Sequence, residues 1–182
     1  MAEGCIYIYT GDGRGKSPAA IGRAVQAAVE GKRVVIIQFL KGKGLGDSDF
    51  LRRMEPEIKL FRFEKSDGNF VELPEEKKQE EIQNIRNGIG FAKKVLTTGE
   101  CDLLILDDLG TEMTTAFVQS ALYQIVNGRL LSGKPTIVST NLPDTELEAR
   151  YSAQIASRLL GAYTLYQFCG TDVRLLRKME SR

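Results

Sequence analysis

The sequence predicts an α/β protein in three layers, with helices on both faces of a mainly parallel five-stranded sheet. Three observations carry this. Short apolar runs alternate with amphipathic stretches, the pattern of strand-crossover-strand units. The run from Val34 to Leu40 (VVIIQFL) lacks polar alternation, as expected of a strand covered on both faces. The run ending at Tyr9 gives way to three alternating glycines and then a helix, an order that open parallel sheets use at their ligand-binding ends.

The first strand, near residues 5 to 9, leads into Thr10-Gly11-Asp12-Gly13-Arg14-Gly15-Lys16-Ser17. Gly11, Gly13 and Gly15 can take positive φ and bring backbone N–H groups close to an anion, and the following helix favours negative charge at its start. In such a loop Lys16 reaches the β- and γ-phosphates of ATP or ADP and the Ser17 hydroxyl holds Mg²⁺. The match departs from the usual pattern at Thr10, where glycine is expected, and at Pro18, which suits a first helical turn but removes one phosphate-binding N–H. That loss is expected to cost about 1 kcal/mol of nucleotide affinity.

The helix continues on small residues, Ala19, Ala20, Ala24, Ala27 and Ala28, that allow close packing on a sheet, and stops at Gly31. After the second strand, Lys41 and Lys43 stand in a glycine-rich loop that fits either solvent exposure or a phosphate contact. Residues 58 to 63 alternate and read as a further strand. From Pro74 a long helix carries Ile82, Ile85, Ile89, Ala92 and Val95 at steps of three or four and ends at Gly99.

The third core strand delivers Asp107 and Asp108 after Leu103 to Leu106. An acid at the end of a buried strand is the Walker B arrangement: Asp107 would hold the Mg²⁺ shell and Asp108 would polarise an attacking water, with Glu112 as a substitute. Together with the glycine loop about ninety residues earlier, this defines a P-loop NTPase of RecA/ASCE type. A helix over 115 to 131 should turn Phe117, Ala121, Leu122, Ile125 and Leu130 inward. The strand 135 to 140 ends in Asn141, which can bond a γ-phosphate or simply open the turn before Pro143. Asp144 can cap the next helix, Ser152 starts another holding Arg158, and residues 163 to 168 form the last core strand. Arg174, Arg177, Lys178 and Arg182 give the tail a basic character.

Composition bounds the rest. The 182 residues are expected to form one domain, able to bury about 70% of the unfolded chain's surface. With 25 basic and 24 acidic residues, no global field draws the chain to nucleic acid or membrane. There is no histidine, so His bases and His metal ligands are excluded. Cys5, Cys101 and Cys169 are scattered, without a CxxC pair, and read as reduced, mostly buried residues of a cytoplasmic protein. The early first strand leaves no room for a signal peptide, and no apolar run reaches membrane-helix length.

Residues 5 to about 106 resemble the ATP:corrinoid adenosyltransferase family of BtuR/CobA type. The likeness is carried by Tyr9 to Ser17 (YTGDGRGKS), by Gly31-Lys32-Arg33-Val34 leading into Gln38-Phe39-Leu40-Lys41-Gly42, by the helix Ile89 to Gly99, and by the strand Leu103 to Asp107. The resemblance implies that the loop binds MgATP and that an adenosyl group moves to the cobalt of a reduced corrinoid, leaving triphosphate. From Asp107 onward the sequence is similar to the ATPase module of DnaC/DnaI-type helicase loaders, through DDLGTE, YQIVN with Arg129-Leu130, STNL and IASRL. That likeness makes Asn141 a sensor residue and Arg158 an arginine finger for a neighbouring subunit, and implies single-stranded DNA as a partner. The transferase's Thr-Gly-Arg and basic C-terminal motif are absent.

The combined reading is a mosaic of two P-loop half-domains with a seam near 103 to 110, made by recombination or, as favoured here, by engineering. It implies MgATP or MgADP binding with slow hydrolysis at most, in a monomer or weak homo-oligomer. Adenosyl transfer and helicase loading stand as the alternatives.

Overall fold

In the computed structural model, the described residues are 6–11, 15–38, 53–62, 74–110 and 116–169. Within them the chain runs β1 (Ile6–Thr10), α1 (Lys16–Val29), β2 (Val34–Gln38), β3 (Ile58–Arg62), α2 (Glu75–Thr97), β4 (Leu103–Leu109), α3 (Ala116–Ser132), β5 (Thr136–Thr140), α4 (Asp144–Tyr151), α5 (Ala153–Ala162) and β6 (Thr164–Gln167). The sheet order is β3-β2-β4-β5-β1-β6, with every pairing parallel. The five expected strands are all present, and the alternating segment after residue 57 joins them as a sixth, beside β2.

Side chains alternate across a strand, so each buried strand feeds two cores. Ile6, Ile8, Val35, Ile37, Leu104, Leu106 and Val138 pack on one face beneath α2, α3, α4 and α5. Tyr9, Val34, Ile36, Leu103, Ile105 and Ile137 pack on the other, where α1 presents Ala20, Ala24 and Ala27. The alanine stripe explains the close seat of α1: Ala20 and Ala24 are fully buried, and extra methylenes there would overpack by about 1–3 kcal/mol.

Several boundaries differ from expectation, each for a local reason. Pro74 and Pro143 stand just outside their helices as N-caps, their φ values being compatible with helix entry. Asp144 is therefore the first helical residue of α4 and makes no capping bond, although its charge still suits the helix start. Ser152 separates α4 from α5 at φ 83°. Phe117 points outward, 38% exposed, with Arg86 and Lys93 over its ring; Val118, Val126 and Arg129 take the inward places with Ala121, Leu122 and Ile125. The strand read as a core element at 163 to 168 is an exposed edge, all four β6 residues being accessible. Cys101 is buried and Cys169 exposed, both free.

Candidate phosphate-binding site

The face rule also assembles the site. Gln38, Asp107 and Ser139 lie at or near the carboxyl ends of β2, β4 and β5, on the same side as Ile36, Ile105 and Ile137, the side that carries α1. Register puts Gln38 beside Asp107, and Tyr9 beside Ser139. Since β5 alone separates β1 from β4, the loop strand and the Asp107 strand lie about 10 Å apart. The turn after β1 and the mid-chain aspartates thus share one end of the sheet.

Ser139 fills that interval. Its hydroxyl donates to Asp107 Oδ1 at 2.6 Å and accepts the Asp108 backbone N–H at 2.9 Å. Gln38 Nε2 donates to Asp107 Oδ2 at 2.9 Å. All three side chains are buried, so the carboxylate is fixed by neutral donors on both neighbouring strands. Neither Gln38 nor Ser139 was picked out from sequence as an Asp107 partner. The available signal was the polar end of each otherwise apolar strand.

Asp108 is placed by a bulge. Strict alternation from Leu104 and Leu106 would drive its carboxylate into the apolar core; instead the register shifts between Leu106 and Leu109, and Leu109 takes that core position. Asp108 adopts φ 59° and is half-buried. Gly110 follows at φ 105°, where a Cβ would meet Leu142 Cδ1 at 2.5 Å.

At the loop, Gly11 and Gly15 take φ 103° and 115°. A Cβ on Gly11 would stand 2.5 Å from the Phe168 carbonyl oxygen, so the chain leaving β6 also demands glycine there. Phe168 donates its N–H to Thr10 O at 2.7 Å, and its ring packs on Tyr9 with centroids 5.2 Å apart. Thr10, where a glycine was expected, is instead the buried last residue of β1. Burial pushes the Tyr9 phenol above its ordinary range and keeps it protonated.

Helix α1 starts at Lys16 with no side-chain cap, and Lys16 is buried with its Nζ donating to Gly11 O. Ser17 is half-buried on the first turn, and Pro18 is exposed beside it. Asp12, Gly13, Arg14, Lys41, Lys43, Glu112 and the basic tail lie outside the described residues.

Two further candidates are separated from one another. Asn141 is exposed immediately after β5, at the same sheet end as Asp107. Arg158 lies in the helical layer: its Nε donates to Asn127 Oδ1 at 2.9 Å, and its guanidinium stacks 4.7 Å from the Tyr123 ring. It is not among the groups gathered at the strand ends. Among the described residues no cluster of three metal-ligating side chains occurs, and no helix is long and apolar enough to cross a membrane.

The fold is shared with P-loop ATPases of solved structure. The DnaC helicase loader matches with TM-score 0.55 and 20% identity, over 92% of this chain and 80% of that one. AMPPCP-bound DnaA from Aquifex aeolicus matches with TM-score 0.51 and 21% identity, over 99% of this chain and 46% of that one. In sequence, the chain is 25% identical over 118 residues to the corrinoid adenosyltransferase of Pseudomonas aeruginosa, covering 64% of this chain and 56% of that protein. It is 29% identical over 108 residues to the enzyme of the same name from Escherichia coli K12, covering 59% and 52%. The chain therefore spans about half the length of these relatives. The model of the ATP:corrinoid adenosyltransferase BtuR/CobO/CobP family matches residues 2–132, a span that holds the glycine loop, both aspartates and the strand between Gly99 and Gly110, and to that family the chain belongs.

Proposed function

We propose that the chain binds Mg²⁺-ATP or Mg²⁺-ADP between the start of α1 and the end of β4. The observation that supports this most directly is the convergence of Lys16, Ser17 and the clamped Asp107 on one end of the sheet, with Ser139 bridging between the strands. The residues fit the ligand. Positive φ at Gly11 and Gly15 leaves the loop backbone open to a polyphosphate, and the absence of a side-chain cap leaves the start of α1 to an anion. Magnesium needs few protein ligands when phosphates and waters supply the remainder, so Ser17 and Asp107 suffice without an acidic cluster. Bound there, MgATP would draw Lys16 Nζ from Gly11 O toward the phosphates. Asp12, Gly13 and Arg14 complete the proposed cradle. Titration calorimetry with MgATP and MgADP on the parent and on Lys16→Ala is the test. Binding by the parent that weakens at least tenfold in the variant supports the assignment; equal heats refute it.

Family membership favours adenosyl transfer to a reduced corrinoid as the chemistry built on that site. In that reading ATP is held by the loop and the adenosyl carbon, not phosphorus, is attacked. Incubating reduced cobalamin with MgATP and the protein should produce the alkylcobalamin spectrum; an unchanged spectrum removes this reading and leaves nucleotide binding intact.

Slow hydrolysis is the alternative chemistry. Asp108 would polarise water and Asn141 would bond the γ-phosphate, while Arg158 could serve a neighbour's site only after leaving Asn127. A loader-type role on single-stranded DNA rests on fold likeness at 20% identity. Size exclusion with MgATP and an oligonucleotide separates it: a strict monomer that ignores DNA excludes it. A mosaic origin rests on the change of resemblance after Asp107, and the family match reaching residue 132 carries the transferase-like part beyond a seam at 103 to 110.

A further inference from the structure

At the opposite end of the sheet from the phosphate site, a groove of about 310 Å³ opens between the carboxyl halves of α2 and α3. Leu96 and Ile125 supply hydrocarbon walls, and Lys93, Arg129 and Lys134 bring three cations to the lining, the Lys93 Nζ also donating to Gln124 Oε1 at 2.6 Å. Among the described residues, no acidic one lines it. The floor residue, Arg129, is only 4% exposed and belongs to no ion pair among the described residues.

Arg129 is held by neutral acceptors. Its Nε donates to Thr136 Oγ1, Nη1 to Cys101 O, and Nη2 to Asp102 O and Pro135 O, at 2.6 to 3.1 Å. A guanidinium carries five N–H groups, so one Nη1 hydrogen has no acceptor among the described residues. The nearby Asp102 carboxylate is occupied by Arg33, whose Nε donates to it at 3.2 Å. The Tyr163 hydroxyl, also buried and in the field of Arg129, has no hydrogen-bond partner among the described residues. Burial pushes the Arg129 guanidinium below its ordinary range.

The carboxyl ends of α2 and α3 point into the same region. Each contributes roughly half a negative charge, together about one, against three cations. A net positive balance remains, and a buried unpaired charge is costly until an anion meets it.

We propose that this groove is a second ligand site, taking a small carboxylate with an apolar body. The head would sit on Arg129, Lys93 and Lys134, and the hydrocarbon on Leu96 and Ile125. Gly128 keeps the groove open: a Cβ built there meets nothing within 4 Å. The site stands a strand length, about 17 Å, from the phosphate loop, so the two do not overlap.

The experiment is calorimetric titration of the full chain with octanoate, and with octanol as the uncharged arm. Saturable one-to-one octanoate binding, at least tenfold tighter than octanol, is expected. Gly128→Leu should abolish it by filling the groove, and the double substitution Lys93→Gln, Lys134→Gln should weaken it at least tenfold. Leucine at an exposed helical position favours the helix over glycine, so loss of fold is not the expected cause, and an unchanged thermal midpoint checks this. No saturable binding by the parent, equal binding of octanol, or parent-like affinity in Gly128→Leu would each overturn the proposal.

Discussion

Pro18 removes one backbone N–H from the first turn of α1, where a polyphosphate would otherwise be held. Restoring that donor with Pro18→Ala should tighten MgATP binding about fivefold, the equivalent of roughly 1 kcal/mol for one hydrogen bond; calorimetry on the two proteins checks it. Tyr163 poses the reverse case, a buried hydroxyl without a partner. Tyr163→Phe should raise stability by about 1 kcal/mol, read as a higher urea midpoint at unchanged m-value. Burial holds the Tyr163 phenol well above its ordinary value of 10.0. The proton therefore stays on longer in the folded chain than in the unfolded one. Stability is retained below about pH 10 and falls as pH climbs beyond it. The phenylalanine variant should lose that component of the alkaline decline. At this scale the glycines of the phosphate loop were legible, because alternation of glycine with Lys16-Ser17 is a local pattern. The second demand on Gly11 was not: it comes from Phe168, more than 150 positions away.

Elements were legible where period and punctuation agreed. Gly31 and Gly99 each follow a helix end at φ 76°, and Gly133 does so at 61°. Phe117 was misread because α3 has apolar residues on most of its circumference, so period alone does not choose its inward side. The strand pairings came from the fold instead, and one ion pair ties two of them. Asp102, just before β4, accepts the Arg33 backbone N–H at 2.9 Å and its Nε at 3.2 Å, joining the start of β4 to that of β2. The Arg33 backbone N–H first, then its side chain, lower the Asp102 carboxyl below its ordinary 3.8. A lowered acid stabilises the fold above its unfolded value and loses that contribution as pH falls through the folded value. Asp102→Asn should therefore flatten the acid limb of the stability curve below about pH 4, measured by chemical denaturation at stepped pH. The effect will be small, since the pair is largely exposed.

For the whole molecule, ligand binding reports on the assembled site. MgATP at about a hundredfold its Kd adds roughly 2.7 kcal/mol, which for a domain of this length raises the thermal midpoint by about 5–10 °C. Lys16→Ala should erase the shift, and a shift that persists would place the nucleotide elsewhere. The α/β class was readable, and so were the two segments that the fold brings to one sheet end as the candidate site, because each is written in a few consecutive residues. The strand order was not, so the Gln38 and Ser139 clamp on Asp107 stayed hidden until β5 was seen between β1 and β4. That interposed strand has a consequence for biosynthesis. A nascent chain released only as far as Ser132 contains both segments of the proposed cradle but lacks the strand that spaces them. Nucleotide should begin to shield the growing polypeptide from protease only after Thr140 has emerged, and with the packing of Phe168 on the loop the arch is closed.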